Sequence, residues 1–206
     1  MKKKSTRKLV AIGILSSVAA VLMFLEFPLT VIAPNFYKMD FSDVPALIGA
    51  FAFGPGAGLV IEAVKILVKT LITGSPTMGV GEVANFLIGA SFLIPASLIY
   101  YRKKTMKNAV LGMVAGVFSM IIIGSLLNAF VLLPAYAYFM SSPETTYTVD
   151  SFVFLGSLVN PLVTDLPTFI LFAVAPFNLI KGVLVSSIVV LIYKRISILL
   201  KHKDSE

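Results

Sequence analysis

Long apolar runs separated by short polar breaks organise this chain from end to end. The first run extends from Leu9 to about Phe27, and at roughly 1.5 Å per residue it is long enough to cross a bilayer core. A short second run, Phe41 to Phe53, stops at Gly54-Pro55-Gly56, a strong turn signal. The third runs from Ala57 to Ile72, and Thr73 to Val80 follows as a Gly/Pro/Ser-containing loop. Further runs cover Gly81 to Tyr101, Asn108 to Leu133 and Phe169 to Tyr193. The pattern predicts six spans. The basic start of the first run resembles a signal peptide, but no small-residue cleavage site follows it, so it reads as a retained helix.

Charge sets the sides. Of 17 Lys and Arg residues, 13 fall in three clusters: Lys2, Lys3, Lys4, Arg7 and Lys8; Arg102, Lys103, Lys104 and Lys107; Lys194, Arg195, Lys201 and Lys203. The positive-inside rule assigns these clusters to the cytoplasm, so both termini are cytoplasmic and the span number is even. The loop from Pro134 to Asp165 contains Glu144 and Asp150 and no Lys or Arg, which puts it outside. All seven tyrosines fall at expected interfaces or loops. The expected fold is an all-α integral membrane protein of the bacterial cytoplasmic membrane. It forms a single embedded domain over residues 1–206, with basic tails at about 1–8 and 194–206.

Composition narrows the function. With 58% hydrophobic and 13% charged residues and mean hydropathy +0.96, this is not a soluble domain. The net charge of +7 reflects loop clusters facing anionic lipid rather than nucleic acid. There is no Cys, and the one His202 lies in the charged tail. No nucleotide-binding loop, metal cluster or serine–histidine arrangement is present, so no catalytic residue, metal or cofactor is expected.

Polar residues at membrane depth carry the chemistry. Lys181 lies 13 residues before Lys194, roughly 20 Å up a helix from the cytoplasmic end. Asn178 is one turn beyond it. Asn128, near the outer end of the fifth run, and Asn85, one turn into the fourth, reach a similar level. Each asparagine admits two readings, an interhelical tie or a cavity donor. The long cation at Lys181 favours the cavity, with Asp40, Asp43 and Asp165 as possible partners. Two loops lie above: Asn35 to Phe41, with Met39 and Asp40 among aromatics, and Met78-Gly79-Val80-Gly81, whose glycines let a ligand approach the backbone. Glu62, Lys65 and Lys69 share one helix face, where an internal Glu62–Lys65 pair is expected. Gly13 and Ser17, four apart in the first run, allow close helix approach, within this bundle or by a partner.

These residues form recognisable motifs. Asp40-Phe41-Ser42-Asp43-Val44-Pro45, Phe53-Gly54-Pro55, Ala84-Asn85-Phe86-Leu87, Leu127-Asn128 and Pro176-Phe177-Asn178-Leu179-Ile180-Lys181-Gly182 resemble the substrate-binding S components of energy-coupling factor (ECF) transporters. Within them the set is most similar to the riboflavin-specific members. The resemblance runs almost the whole length, except Tyr136 to Leu166. It implies a six-helix bundle that takes up riboflavin, or flavin mononucleotide, from outside. It also implies docking on a transmembrane T component driven by two cytoplasmic ATPases. Asn85, Asn128, Asn178 and Lys181 match the family's vitamin contacts, and Met78, Gly79, Val80 and Gly81 its ring-contacting segment. Met39 and Met78 could pack on the rings, and Asp40 could take ribityl hydroxyls. Gly13 and Ser17 stand where the family's first helix carries alanines facing the T component. The alternatives are an S component for thiamine, biotin or a pterin, and a membrane enzyme or scaffold using Asp40 and Asp43.

Overall fold

The computed structural model describes the backbone from Lys2 to Lys201 and side chains from Thr6 to Ile192. The side chains of Lys2, Lys3, Lys4, Lys194, Arg195 and Lys201, and all of His202 and Lys203, lie outside the described residues.

The chain is almost entirely helical. Helix α1 (Lys2–Phe24) leads into a small antiparallel hairpin of β1 (Phe27–Pro28) and β2 (Lys38–Met39). Helices α2 (Asp43–Phe53) and α3 (Pro55–Thr73) are joined by Gly54 alone. Its φ of 101° permits the reversal, and Pro55 supplies a preset first helical residue. Then come α4 (Val80–Arg102) and α5 (Met106–Leu127), the latter capped by the Thr105 hydroxyl accepting from the Asn108 N–H. A π turn, Asn128–Leu132, carries α5 on into α6 (Leu133–Met140). Helix α7 (Val149–Ser157) lies beyond, and α8 (Leu166–Phe169) enters a second π turn, Ile170–Val174, and α9 (Ala175–Lys201).

Among the described residues, four helical stretches are long and apolar enough to cross a membrane: Thr6–Phe24, Val80–Arg102, Met106–Met140 and Leu166–Ile192. The boundaries differ from the sequence expectation in three places. The first helix ends at Phe24 because the chain turns there into the hairpin. The fifth run continues as helix to Met140 rather than stopping at Leu133. The segment expected as a loop holds α7, begun by a reciprocal Thr148–Ser151 capping box.

Helices α4 and α5 pack closest. Gly112 and Gly116, four apart on α5, lie against the carbonyls of Ala96 and Phe92, where an added Cβ would come within 2.4 and 2.6 Å. Around this seam one apolar core gathers Ala19, Leu47, Phe51, Ile61, Phe92, Met113, Met120 and Val185. A second gathers Met39, Leu133, Phe152, Val163, Phe169 and Phe177. Along the α5–α6 stretch, Asn128 falls between Met120 and Leu133, and along α9, Asn178 and Lys181 fall between Phe177 and Val185. A buried polar band therefore separates two greasy cores. Tyr100, near the end of α4, is buried in the first core, with its ring 4.5 Å from Phe51.

Candidate functional site

The polar band opens into a cavity of about 110 Å³. Helix α4 contributes Gly81, Ala84, Asn85 and Ile88; the first π turn contributes Asn128 and Leu132; α9 contributes Phe177, Asn178 and Lys181. Phe36, Tyr37 and Lys38 close it from the hairpin side, and Tyr136 of α6 completes the wall. The three asparagines and the lysine anticipated from sequence thus converge on one space.

Each amide has capacity in hand. Asn128 donates from Nδ2 to the Gly124 carbonyl at 2.8 Å, and Asn178 donates from Nδ2 to the Val174 carbonyl at 3.0 Å. An amide nitrogen carries two hydrogens, so each keeps one donor unspent. The Asn85 Oδ1 is buried and accepts no hydrogen bond from the described residues. Buried polar atoms are normally paired, so such an atom on a cavity wall marks a place for a donor from outside the chain.

Lys181 is held from behind. Its Nζ lies 3.1 Å from Asp43 Oδ2 and 3.6 Å from Asp40 Oδ2. The other Asp40 oxygen accepts from the Ser42 N–H at 2.7 Å and from the Ser42 hydroxyl. Deeper still, the Lys65 ammonium contacts Asp43 Oδ1, Ser42 Oγ at 2.7 Å and Glu62 Oε1 at 2.7 Å. The expected Glu62–Lys65 pair is therefore one end of a larger chain of charges reaching the cavity at Lys181. Asp165 takes no part: it is exposed and caps α8 through Thr168, whose hydrogen bonds hold its carboxyl below the usual range.

An aromatic cover lies over the cavity. Tyr37 donates from its hydroxyl to Asn128 Oδ1 at 2.6 Å, and its ring is 5.4 Å from Phe177 and 4.8 Å from Phe36. Desolvation, with Tyr136 nearby, holds this phenol well above its ordinary range, so it stays a neutral donor. Phe36 in turn meets Phe152 of α7 edge-on at 5.7 Å, which gives the unassigned segment a packing role. Partial burial pushes the Glu26 carboxyl up, but hydrogen bonds from Lys38 (2.7 Å) and Lys69 outweigh it and hold it below the usual range. The base of the hairpin is thereby tied to α3.

Several anticipated residues lie elsewhere. Met39 is packed in the second core and Asp40 stands behind Lys181, so neither lines the cavity. Met78 is 73% exposed at the surface, with φ 50°. Val80 packs with Ala84 and Leu132. The Gly79 N–H donates to Ser75 Oγ at 2.7 Å and the Gly81 N–H to Thr77 Oγ1 at 3.0 Å, so these backbone donors are spent; only Gly81 reaches the cavity. Tyr37 was anticipated only as one of the aromatics of the Asn35 to Phe41 loop; Tyr136 and Ile88 were not singled out from sequence, and their signal is weak because each is ordinary for its position. Gly13 and Ser17 both face an open groove between α1 and α3, with Ser17 Oγ donating to the Gly13 carbonyl at 3.0 Å.

Comparison with known proteins converges on one family. Residues 7–193 match the family model for the ECF transporter, substrate-specific component. The riboflavin transporter RibU of Staphylococcus aureus (strain TCH60) is 37% identical over 203 residues, covering 98% of this chain and 96% of its own. The riboflavin transporter FmnP of Bacillus subtilis (strain 168) is 36% identical, covering 91% and 90%. A solved S component of a bacterial ECF transporter superposes with a TM-score of 0.71 at 35% identity, covering 96% of this chain and 99% of that one. On both sequence and fold, this chain belongs to the substrate-specific components of ECF transporters.

Proposed function

We propose that this chain captures riboflavin from the extracellular side and hands it to a T component driven by two cytoplasmic ATPases. It is a transporter subunit and not an enzyme. The observation that carries the reading is the set of Asn85, Asn128, Asn178 and Lys181 around one cavity, with apolar walls from Ile88, Leu132 and Phe177. Isoalloxazine presents a flat apolar face and an edge of carbonyl and ring-nitrogen acceptors with one N–H. Unspent amide hydrogens and the ammonium suit the acceptors, and the open Asn85 Oδ1 suits the N–H. The names of the two relatives support the same vitamin. Lys181 is already neutralised by Asp43 and Asp40, which favours uncharged riboflavin over its phosphate, flavin mononucleotide.

Six spans and cytoplasmic termini complete the proposal, with the whole chain acting as one membrane-embedded unit in a bacterial cytoplasmic membrane. The 11 residues of α2 span only about 16 Å, and α3 carries Glu62, Lys65 and Lys69. They cross as a buried pair, shielded by their neighbours. Gly54 at their junction sits beside Tyr101, next to the basic Arg102–Lys104 loop, so the junction belongs on the same side as that loop. The T component docks on the groove holding Gly13 and Ser17.

A cavity of about 110 Å³ is smaller than the ~300–1,000 Å³ of ordinary small-molecule sites. Entry therefore requires Phe36 and Tyr37 to move aside. The test is purification in detergent from rich medium: a yellow protein, quenched flavin fluorescence and riboflavin by mass spectrometry are expected. Colourless protein indifferent to added riboflavin, or thiamine, biotin or a pterin in the extract, overturns the substrate. Metal-dependent turnover abolished by Asp40→Asn, with no solute bound, would instead point to a membrane enzyme.

A further inference from the structure

The charges behind the cavity do not balance. Asp40, Asp43 and Glu62 supply three carboxyl groups, Lys65 and Lys181 two ammonium groups, and all five are at most 7% exposed. A net charge buried in a bundle of helices is costly unless something neutralises it. The three carboxyls are not equivalent. Asp43 meets both ammonium groups, and Asp40 has Lys181 together with two hydrogen bonds from Ser42. Glu62 has a single ion contact, from Oε1 to Lys65 at 2.7 Å, and its Oε2 is buried without a partner.

The surroundings offer Glu62 no other compensation. The ionisable groups acting on it are Lys65 from its own helix, Asp43 from α2 and Lys181 from α9. Helix α4 presents Gly89, where even a Cβ would come within 2.6 Å of Glu62 Oε1. Helix α1, on the other flank of α3, has no charged residue between Lys8 and its end at Phe24.

We infer that Glu62 is a proton-binding site: it is held as the neutral acid, so that the five-residue cluster carries no net charge, and its proton is linked to occupation of the cavity through Asp43 and Lys181. The linkage part rests on the riboflavin reading; the proton itself does not. A substrate acceptor that draws the Lys181 ammonium into the cavity draws it away from Asp43. The carboxyls then lose part of their compensation and hold the proton more firmly. By reciprocity, losing the proton leaves an anion that competes for Lys181 and weakens binding.

Two measurements on the full chain in detergent decide this. Infrared spectra of the ligand-free protein at neutral pH are expected to show the carbonyl stretch of a protonated carboxylic acid. The band should disappear reversibly at alkaline pH in the wild type, be absent in Glu62→Gln and, because two carboxyls then face two ammonium groups, be lost or titrate at lower pH in Asp40→Asn. No such band, or one indifferent to Glu62→Gln, overturns the proton site. Riboflavin titrations by fluorescence quenching should then show a Kd rising severalfold with pH, at most tenfold per unit for one proton, and a flat profile in Glu62→Gln. Parallel profiles overturn the linkage. An absence of quenching in both proteins would sink the substrate reading instead, while leaving the infrared result to decide the proton.

Discussion

Lys181 illustrates how one residue can be read from sequence and still be only half understood. A cation 13 residues from the basic end of a span cannot face lipid, so its inward direction was legible. Its partners were not equally so: Asp40 and Asp43 pair with it while Asp165 caps a helix, a choice made only when α2 packs beside α9. Lys181→Met should weaken riboflavin binding by about tenfold or more, since a buried charged hydrogen bond contributes roughly 1.5–3 kcal/mol. It should also lower thermal stability, because Asp43 and Asp40 are stranded. Adding Asp43→Asn should recover stability and not affinity; recovery of both would make Lys181 a structural residue. Tyr37 is the opposite case. A tyrosine in an outer loop looks interfacial, and only the folded hairpin brings it to Asn128, 91 positions away. Tyr37→Phe frees the Asn128 acceptor, so stopped-flow quenching should show association severalfold faster. A slower rate with a higher Kd would instead make the phenol a ligand contact.

The elements that shape the site are its two π turns, and they share a cause. In the first, the Leu133 N–H reaches back five residues to the Asn128 carbonyl; in the second, the Ala175 N–H reaches back to Ile170. Each turn closes on the residue just before a proline, Pro134 and Pro176. In a regular α-helix a proline has no N–H for the carbonyl four residues back, and its ring collides with that carbonyl. Widening the preceding turn relieves the clash and resets the helix face beyond it. π turns of this kind are often found at functional sites. Here one begins at Asn128, and the other ends at Val174, whose carbonyl accepts from Asn178. Pro176 stood in a recognised motif and Pro134 at the start of the expected outer loop, yet periodicity alone misses a one-residue widening, and so the expected fifth span stopped at Leu133. Pro176→Ala removes the clash and lets the turn relax toward α geometry, rotating Asn178 and Lys181 by a fraction of a turn. Affinity should fall severalfold with thermal stability kept or raised. An unchanged Kd would show that the wide turn does not depend on its proline.

At the scale of the whole molecule the open choice is between six spans and four, and it hinges on α2 and α3. If only the four long apolar stretches cross, the chain from Leu25 to Gly79 lies entirely outside. If α2 and α3 cross as well, their junction at Gly54–Gly56 is cytoplasmic. Apolar periodicity could not decide this, because α2 is short and α3 carries three charges; both become tolerable only when Lys65 pairs with Glu62 and Asp43 inside the bundle. The chain has no native Cys, so single cysteines report without background. Gly56 is exposed, and a Cβ there meets nothing within 4 Å, which makes Gly56→Cys a harmless probe. Glu144→Cys, in the exposed segment between α6 and α7, serves as the outer reference and Lys104→Cys as the inner one. In intact cells a membrane-impermeant maleimide should label the Glu144 probe and spare the other two, which react only after permeabilisation. Labelling of Gly56→Cys in intact cells would remove α2 and α3 from the membrane. The buried charge chain behind Lys181 would then have to form outside the bilayer, where its desolvation would need another explanation.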